Sequence, residues 1–144
     1  MPAAGIRYAR GVKPDREQTH VFATRVAVTA GLLAVALGAF GAHGLKDLLA
    51  QNGTANVWEK AVFYHFIHVV MLFVLAERKN LPVLAWRCFL AGIVLFSGSL
   101  YLLAVTNRHW LGAITPLGGV CFLGGWLALL RSPKRDVPKL WTKD

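Results

Sequence analysis

Residues 110–130 form a run of 21 amino acids that contains no charged side chain and almost no polar one. This run is too long for a buried strand, and its length matches the roughly 20 apolar residues that a helix needs to cross a bilayer. Three further apolar runs cover residues 26–45, 57–76 and 84–105, of which 57–76 is the most polar. Because the bilayer interior offers no hydrogen-bond partners to the backbone, runs of this kind span it as helices. The sequence therefore predicts four transmembrane helices.

The overall composition supports a membrane protein and argues against a soluble one. Hydrophobic residues make up 56% of the 144 residues and charged residues only 16%, whereas soluble domains have about 25% charged residues. A soluble nucleic-acid-binding protein would share the formal net charge of +9 but would carry far more polar surface. Nucleic acid is therefore not predicted as a partner, and the length allows one domain. The predicted fold is all-α, an integral membrane four-helix bundle with antiparallel helices.

Turn-forming residues separate the four runs by short connections, which makes neighbouring helices antiparallel. Such residues lie at 52–53, 79–82 and 106–108. Asn56 has the side chain of a helix N-cap, and Glu59 stands three residues later, as in a capping box. The chain is thus divided into a basic tail over residues 1–25, a transmembrane domain over 26–130 and a second basic tail over 131–144.

The distribution of Lys and Arg predicts the orientation of the bundle. Four spans place both tails and the connection between the second and third helices on one side of the membrane, and these regions hold 13 of the 16 Lys and Arg residues. By the positive-inside rule, both termini are predicted to be cytoplasmic. A cleaved signal peptide is an alternative for the first run, but that run is long enough to span a membrane. Asp15 and Glu17 argue against an organellar transit peptide, which is poor in acidic residues.

Small residues recur on the first and fourth predicted helices. In lipid, such residues let helix backbones approach closely. On the first helix they stand every four residues, and on the fourth they are less regular; the set is Ala30, Ala34, Gly38, Ala42, Gly118 and Gly119. These faces are predicted to pack helices within the bundle, or alternatively to dock a partner subunit.

Polar side chains inside the predicted spans cluster in the half of the bundle away from the cytoplasm. They are His43, Tyr64, His65, His68, Ser97, Ser99, Tyr101 and Thr115. Polar groups are costly in lipid, so a buried hydrogen-bonded network is the simplest account of this cluster. Histidines also bind haem iron, copper or zinc, which makes His43, His65 and His68 alternative ligands. A path for protons or a small solute is a third interpretation, because neutral histidines titrate near physiological pH.

The sequence lacks the patterns that mark common catalytic sites. It contains no Gly-x-Ser-x-Gly, no phosphate-binding loop, no Cys-x-x-Cys-His and no paired carboxylates at membrane depth. We therefore predict a protein that is not an enzyme and that holds no cofactor, with a haem or a metal ion as the alternative. The basic tails are predicted to contact anionic lipid headgroups or a partner. The residues concerned are Arg7, Arg10, Arg16, Arg131, Lys134 and Arg135.

Five short segments resemble motifs of a known family. They are residues 37–45 (LGAFGAHGL), 64–68 (YHFIH), 95–101 (LFSGSLY), 114–119 (ITPLGG) and 125–126 (GW). In this order they resemble the YgdD/YwdK-like family of small inner-membrane proteins, which has a domain of unknown function and a small eukaryotic transmembrane relative. The resemblance covers about residues 26–130 and implies four transmembrane helices in a multi-pass protein of the bacterial inner membrane. It implies no established activity, and the basic ends are longer than the core of the family requires.

These observations favour a non-catalytic accessory or assembly subunit of a larger respiratory or photosynthetic membrane complex. The hypothesis rests on the small-residue faces, the lack of a catalytic pattern and two long polar tails. It implies membrane lipids and other membrane protein subunits as partners. The competing hypothesis is a four-helix membrane protein that binds haem or a metal ion, or that conducts protons or a small solute. A lipid-binding scaffold at the cytoplasmic leaflet is a third.

Overall fold

The computed structural model describes residues 14–131, and within them the chain is helical and without strands. Its helices are α1 (Pro14–Ala42), α2 (Lys46–Gln51), α3 (Ala55–Ala76), α4 (Val83–Gly92), α5 (Gly98–Thr106) and α6 (Thr115–Leu130). A π-helix, Ile93–Ser97, joins α4 to α5, and a 3₁₀-helix, His109–Ala113, leads into α6. Four helical stretches are long and apolar enough to cross a membrane, which confirms the predicted all-α fold with four spans.

The bounds of the spans differ most from the predicted ones at the start of the chain. The four spans are Arg16–Ala42, Ala55–Ala76, Val83–Thr106 and His109–Leu130. Helix α1 begins at Pro14 rather than at Val26, so residues 14–25, which the sequence assigned to the basic tail, extend the first helix. Ala23 holds this extension because it is buried in the cluster that α1 shares with α3. His20 does the same, since its Nδ1 lies 2.9 Å from the carbonyl oxygen of Ala76.

The first and second spans pack antiparallel along their length. At one end, the hydroxyl of Thr24 donates to Glu77 Oε1 at 3.2 Å. At the other end, Trp58 Nε1 donates to the carbonyl oxygen of Leu37 at 3.1 Å. Between these points, Ala34 is fully buried. Small residues on α1 therefore let the side chains of α3 lie against its backbone, as expected for helices that associate in lipid.

The third and fourth spans form a second antiparallel pair, built around glycines of α6. A Cβ atom at Gly118 would stand 2.7 Å from the Cα of Phe96. A Cβ atom at Gly125 would stand 2.7 Å from Cε1 of Phe89. Distances this short leave no room for a larger residue, so the backbone of α6 lies directly against the third span.

The spans are arranged in chain order, with the first and fourth at the two edges. The second span lies between the first and the third, and the fourth packs on the third. Within residues 14–131, the first span makes no extended contact with the third or the fourth. Accordingly, 39% of the residues in the most apolar stretch of each inner span are buried, against 17% in each edge span. The bundle is open, and both edge spans expose most of their surface.

The two ends of the bundle differ in charge. The arginine end carries Arg25, Arg78 and Arg87, and lies above the larger hydrophobic cluster. The α2 end carries α2 and the connection from the third to the fourth span, above a smaller cluster around Trp58. The positive-inside rule predicts that the arginine end faces the cytoplasm.

Helix α2, which the sequence did not predict, leads into a turn whose side chains bond to the third span. The hydroxyl of Thr54 donates to the carbonyl oxygen of Ala104 at 2.8 Å, and Asn52 Nδ2 donates to the same oxygen at 3.0 Å. Thr54 precedes α3 without a side-chain cap bond to it, and Asn56 lies inside the first turn. The predicted Asn56 cap is therefore wrong. The polar side chains of this turn instead satisfy carbonyl groups at the end of α5, which lack partners within the helix.

We expect Thr54→Val to destabilise the bundle, because it removes a buried hydroxyl from Ala104 and keeps the volume of the side chain. The expected loss is about 1 kcal/mol, as for one buried hydrogen bond, measured as a lower unfolding temperature of the purified protein in detergent. Thr106→Val is the control, since the hydroxyl of Thr106 is exposed and donates within its own helix to the carbonyl of Leu102. Equal destabilisation by both variants would show that the bond to Ala104 contributes nothing.

Candidate functional site

The structure divides the predicted polar cluster into separate pairs, of which His65 and Tyr101 form the first. His65 Nδ1 lies 3.3 Å from the hydroxyl of Tyr101. The rings of Trp58 and Tyr101 meet edge to face, with their centroids 4.7 Å apart. His65 and Trp58 are both buried. The pair thus joins α3 to α5 in the half of the bundle toward the α2 end.

A second pair, Ser99 and Thr115, joins the third span to the fourth. Their hydroxyl oxygens are 2.9 Å apart, and the hydroxyl of Ser99 donates to the carbonyl oxygen of Phe96 at 3.0 Å. Because a serine hydroxyl has one proton, Thr115 is the donor in the bond between the pair. Ser97 ends the π-helix and is fully buried, and its hydroxyl finds no hydrogen-bond partner within residues 14–131. Short π-helices are frequent at functional sites.

His68 lies apart from both pairs, inside a layer of aromatic rings. Its Nδ1 donates to the carbonyl oxygen of Tyr64 at 2.8 Å, and its ring stacks on Phe122 with the centroids 3.6 Å apart. Phe89 and Trp126 complete the layer. Sequence reasoning missed these rings, although the four-residue spacing of Phe122 and Trp126 places both on one face of α6. The surroundings of His68 are those of a ring packed in a core.

His43 and Tyr64 do not join a buried network. Helix α1 ends at Ala42, so His43 falls in the turn before α2, where it is exposed. Tyr64 is 38% exposed, and its ring packs on Phe96 with the centroids 4.6 Å apart. The three candidate histidines therefore occupy three different environments. Across the part of the chain that the structure describes, no three His, Cys, Asp or Glu side chains come close enough to share a metal ion.

The small residues predicted to pack helices lie mostly at interfaces inside the bundle. Five of the six are buried or half-buried, namely Ala30, Ala34, Gly38, Gly118 and Gly119. Ala42 is exposed at the end of α1. A Cβ atom at Gly38 would stand 3.4 Å from Val62, which places the stripe on the face of α1 that contacts α3. Residues on the opposite face of α1, Ala36 and Ala39 among them, are exposed.

The predicted headgroup contacts are described only in part. Arg7, Arg10, Lys134 and Arg135 lie outside the described residues. Arg16 is exposed in the first turn of α1, and Arg131 is exposed just after α6. Because α1 begins and α6 ends on the same side of the bundle, both arginines belong to the arginine end.

An apolar cleft of about 660 Å³ lies between the first and third spans. Helix α1 lines it with residues that include Leu33 and Leu37, and the third span lines it with residues that include Val94. From α3 only His65 reaches the cleft, beside its partner Tyr101, so this pair forms the floor. The cleft could not be foreseen from the sequence, because it depends on which spans fail to touch.

Comparison with known proteins gives the family. Residues 37–119 match the family described as a protein of unknown function (DUF423). This chain belongs to the DUF423 family. It is 49% identical over 106 residues to the UPF0382 membrane protein YwdK of Bacillus subtilis (strain 168), an alignment that covers 69% of this chain and 85% of the relative. A UPF0382 membrane protein of Staphylococcus epidermidis is 47% identical over 104 residues, covering 69% and 84% respectively.

The DUF423 match confirms the YwdK-like resemblance and includes both polar pairs and His68. The relatives carry names of bacterial membrane proteins, and four stretches of this chain are able to span a membrane. The chain is therefore a multi-pass bacterial membrane protein of an uncharacterised family. No solved structure matches it.

Proposed function

We propose that this DUF423 protein is a non-catalytic accessory or assembly subunit of a larger membrane complex, such as a respiratory or photosynthetic one. It binds another membrane protein through the free face of α1. The positive-inside rule predicts that both termini are cytoplasmic, where the basic tails contact anionic lipid headgroups or the same partner.

The observation that carries this proposal is an exposed stripe on α1, called here the outer stripe. Its members are Thr29, Leu32, Ala36 and Ala39, and all four are exposed. Their spacing alternates between three and four residues, which keeps them on one face of a helix and is the spacing at which two helices pack side by side. This face lies away from the stripe that contacts α3.

The chemistry of the outer stripe suits a protein better than lipid. Lipid-facing helix surfaces expose large apolar side chains, as α6 does with Leu117, Val120 and Leu123. The outer stripe exposes one large apolar side chain, Leu32, and two alanines, which let a partner backbone approach closely. Thr29 at one end of the stripe is costly against acyl chains and gains a hydrogen bond from a protein partner.

The interior of the bundle also supports a structural role, because the polar side chains of its two pairs are engaged in hydrogen bonds. The hydroxyls of Ser99, Thr115 and Tyr101 bond to each other, to the backbone or to His65. Polar groups engaged in this way hold helices together and are not free to act on a substrate. The surface that is available to a partner is therefore the exposed face of α1 rather than the interior of the bundle.

Photo-crosslinking in the native membrane tests the proposal. A benzophenone amino acid at Ala36, in the full chain, is expected to form one adduct of defined mass with a second membrane protein. The same probe at Leu123, on the lipid-facing side of α6, is the control and is expected to give none. The crosslinked complex is also expected to migrate as one larger species on native electrophoresis after mild solubilisation.

Bulky substitutions on the stripe give a matched measurement. Ala36→Phe with Ala39→Phe is expected to convert most of the larger species into the lone chain, because the rings hold the partner helix away. Val120→Phe with Leu123→Phe is expected to leave the larger species intact. Migration of the unmodified protein as a lone chain, with no adduct at Ala36, would overturn the accessory role.

A further inference from the structure

The cleft between the first and third spans has the length of a lipid acyl chain. On α1 it extends from Phe22 to Leu37, and on the third span from Leu90 to Tyr101. Fifteen residues of helix rise about 22 Å and eleven about 16 Å, so the cleft covers more than half of the roughly 30 Å hydrocarbon core of a bilayer. It therefore runs from the arginine end past the middle of the membrane, to Leu37 and Tyr101, which pack on the cluster at the α2 end.

The walls of the cleft are apolar and open to the bilayer. Phe22 is 63% exposed, Leu33 is 53% exposed and Val94 is 62% exposed, and all three line it. The polar pair that lines the cleft, His65 and Tyr101, forms a hydrogen bond within the pair. In a membrane, a groove of this kind is filled by an apolar chain rather than by water.

Two arginines lie where the cleft meets the arginine end of the bundle. Arg25 lines the cleft directly. Arg87 precedes Leu90 and Val94 by three and seven residues, so it shares the face of the third span that lines the cleft. Ala23, near Arg25, and Trp86, beside Arg87, belong to the same buried cluster at the arginine end of the bundle. Both arginine side chains are exposed.

The charged groups beside Arg25 leave the arginine end positive, because Glu77 lines a second cavity together with Arg25, Arg78 and Lys79. Glu77 is the acidic residue at this level of α3, and it accepts a hydrogen bond from Thr24. Thr24 lies on the flank of α1 away from the cleft, since helix periodicity places it opposite Val26 and Leu33. Arg78 and Lys79 add further positive charge to the same end.

We propose that the cleft binds one anionic phospholipid lengthwise. Its phosphate lies between Arg25 and Arg87, and one acyl chain fills the groove down to the His65–Tyr101 pair. Arginine is suited to this contact because its guanidinium donates paired hydrogen bonds to phosphate oxygens. The predicted orientation places the site in the cytoplasmic leaflet, where anionic lipids attract basic residues. This inference goes beyond the accessory role and uses a neighbouring face of α1, with Thr29 at the border between the two.

Native mass spectrometry of the purified full-length protein tests the site. The probes are phosphatidylglycerol and phosphatidylcholine with identical acyl chains, titrated into the detergent-solubilised protein. We expect one bound phosphatidylglycerol at a concentration about tenfold lower than phosphatidylcholine requires. Arg25→Gln with Arg87→Gln is expected to remove this preference and to leave phosphatidylcholine binding unchanged. Lys46→Gln with Arg108→Gln, which removes two exposed cations at the α2 end, is the control and is expected to preserve it.

Gly98→Phe tests the groove itself. Gly98 lines the cleft, and a Cβ atom there meets no other heavy atom within 4 Å, so a side chain added at this position begins in open space in the groove. We expect at least a tenfold loss of binding of both lipids with an unchanged unfolding temperature. Leu123→Phe, on the exposed face of α6, is expected to change neither quantity.

Three results would overturn the lipid site. The first is equal affinity for the two lipids in the unmodified protein, and the second is unchanged binding in Gly98→Phe. The third is a protein adduct from a benzophenone amino acid at Val94, which would make a partner helix the occupant. Because the lipid titration uses the isolated chain, its failure leaves the crosslinking at Ala36 unaffected, and the converse also holds.

Discussion

Gly118→Ala is expected to destabilise the pairing of the third and fourth spans by about 2–3 kcal/mol, as for an overpacked core. The added methyl carbon would stand 2.7 Å from the Cα of Phe96. A backbone atom cannot turn aside as a side chain does, so the two helices must separate along this contact. Separation also lengthens the bond between Ser99 and Thr115, which crosses the same interface.

The adjacent glycine supplies the control for this prediction. A Cβ atom at Gly119 would stand 4.0 Å from its nearest neighbour, the Cδ2 of Phe96. Both substitutions raise helix propensity equally, by about 1 kcal/mol, so their difference isolates the contact. We expect Gly119→Ala to be neutral or stabilising when unfolding in detergent is followed by circular dichroism. If the two variants unfold at the same temperature, α6 does not lie against Phe96 as described.

Trp58→Ala is expected to have the largest effect at the α2 end, about 3–5 kcal/mol, the range for a buried large aromatic residue. Trp58 is 4% exposed. Its ring covers Gly41 on α1 and meets Tyr101 on α5, while its indole N–H donates to the carbonyl of Leu37. One side chain therefore joins three of the helices. Trp58→Phe keeps most of the ring and loses the donor, so its expected cost is about 1 kcal/mol.

Trp110→Ala is the matched control for the tryptophan substitution. Trp110 is 64% exposed, and removing an exposed side chain outside a packed contact costs within about 0.5 kcal/mol. Both proteins are compared by thermal unfolding and by proteolysis in the same detergent. Similar loss of stability in the two variants would contradict the role of Trp58 as a tie between α1, α3 and α5.

The spans were predictable because the bilayer imposes both length and hydrogen bonding on an apolar run. The start of α1 was not predictable in this way. Arg16, His20 and Arg25 suggest a solvated tail, yet Ala23 and Ala27 are buried against α3 and continue the helix past these charges. Helix α2 is too short to produce a clear periodic pattern. The π-helix depends on how the third span meets its neighbours, which no local pattern encodes.

The candidate site was predictable as a set of residues but not as a set of contacts. The free-energy cost of placing polar side chains in lipid identified His65, Tyr101, Ser99 and Thr115 as candidates. In the structure they form two hydrogen-bonded pairs. Which residues pair depends on the register between helices, and a single sequence does not specify that register. His43 was misplaced because a helix end three residues earlier than predicted moved it from a span into a turn.

The arrangement of the spans in chain order has a consequence for how the protein is made. A membrane protein is inserted helix by helix as the ribosome delivers it. Here each new span packs chiefly on the one inserted just before it, so its binding surface is already present in the bilayer. Contacts between neighbours in sequence also form fastest, because the loops that they close are short. The open bundle can therefore assemble during synthesis, because the fourth span packs on the third and does not have to return to the first.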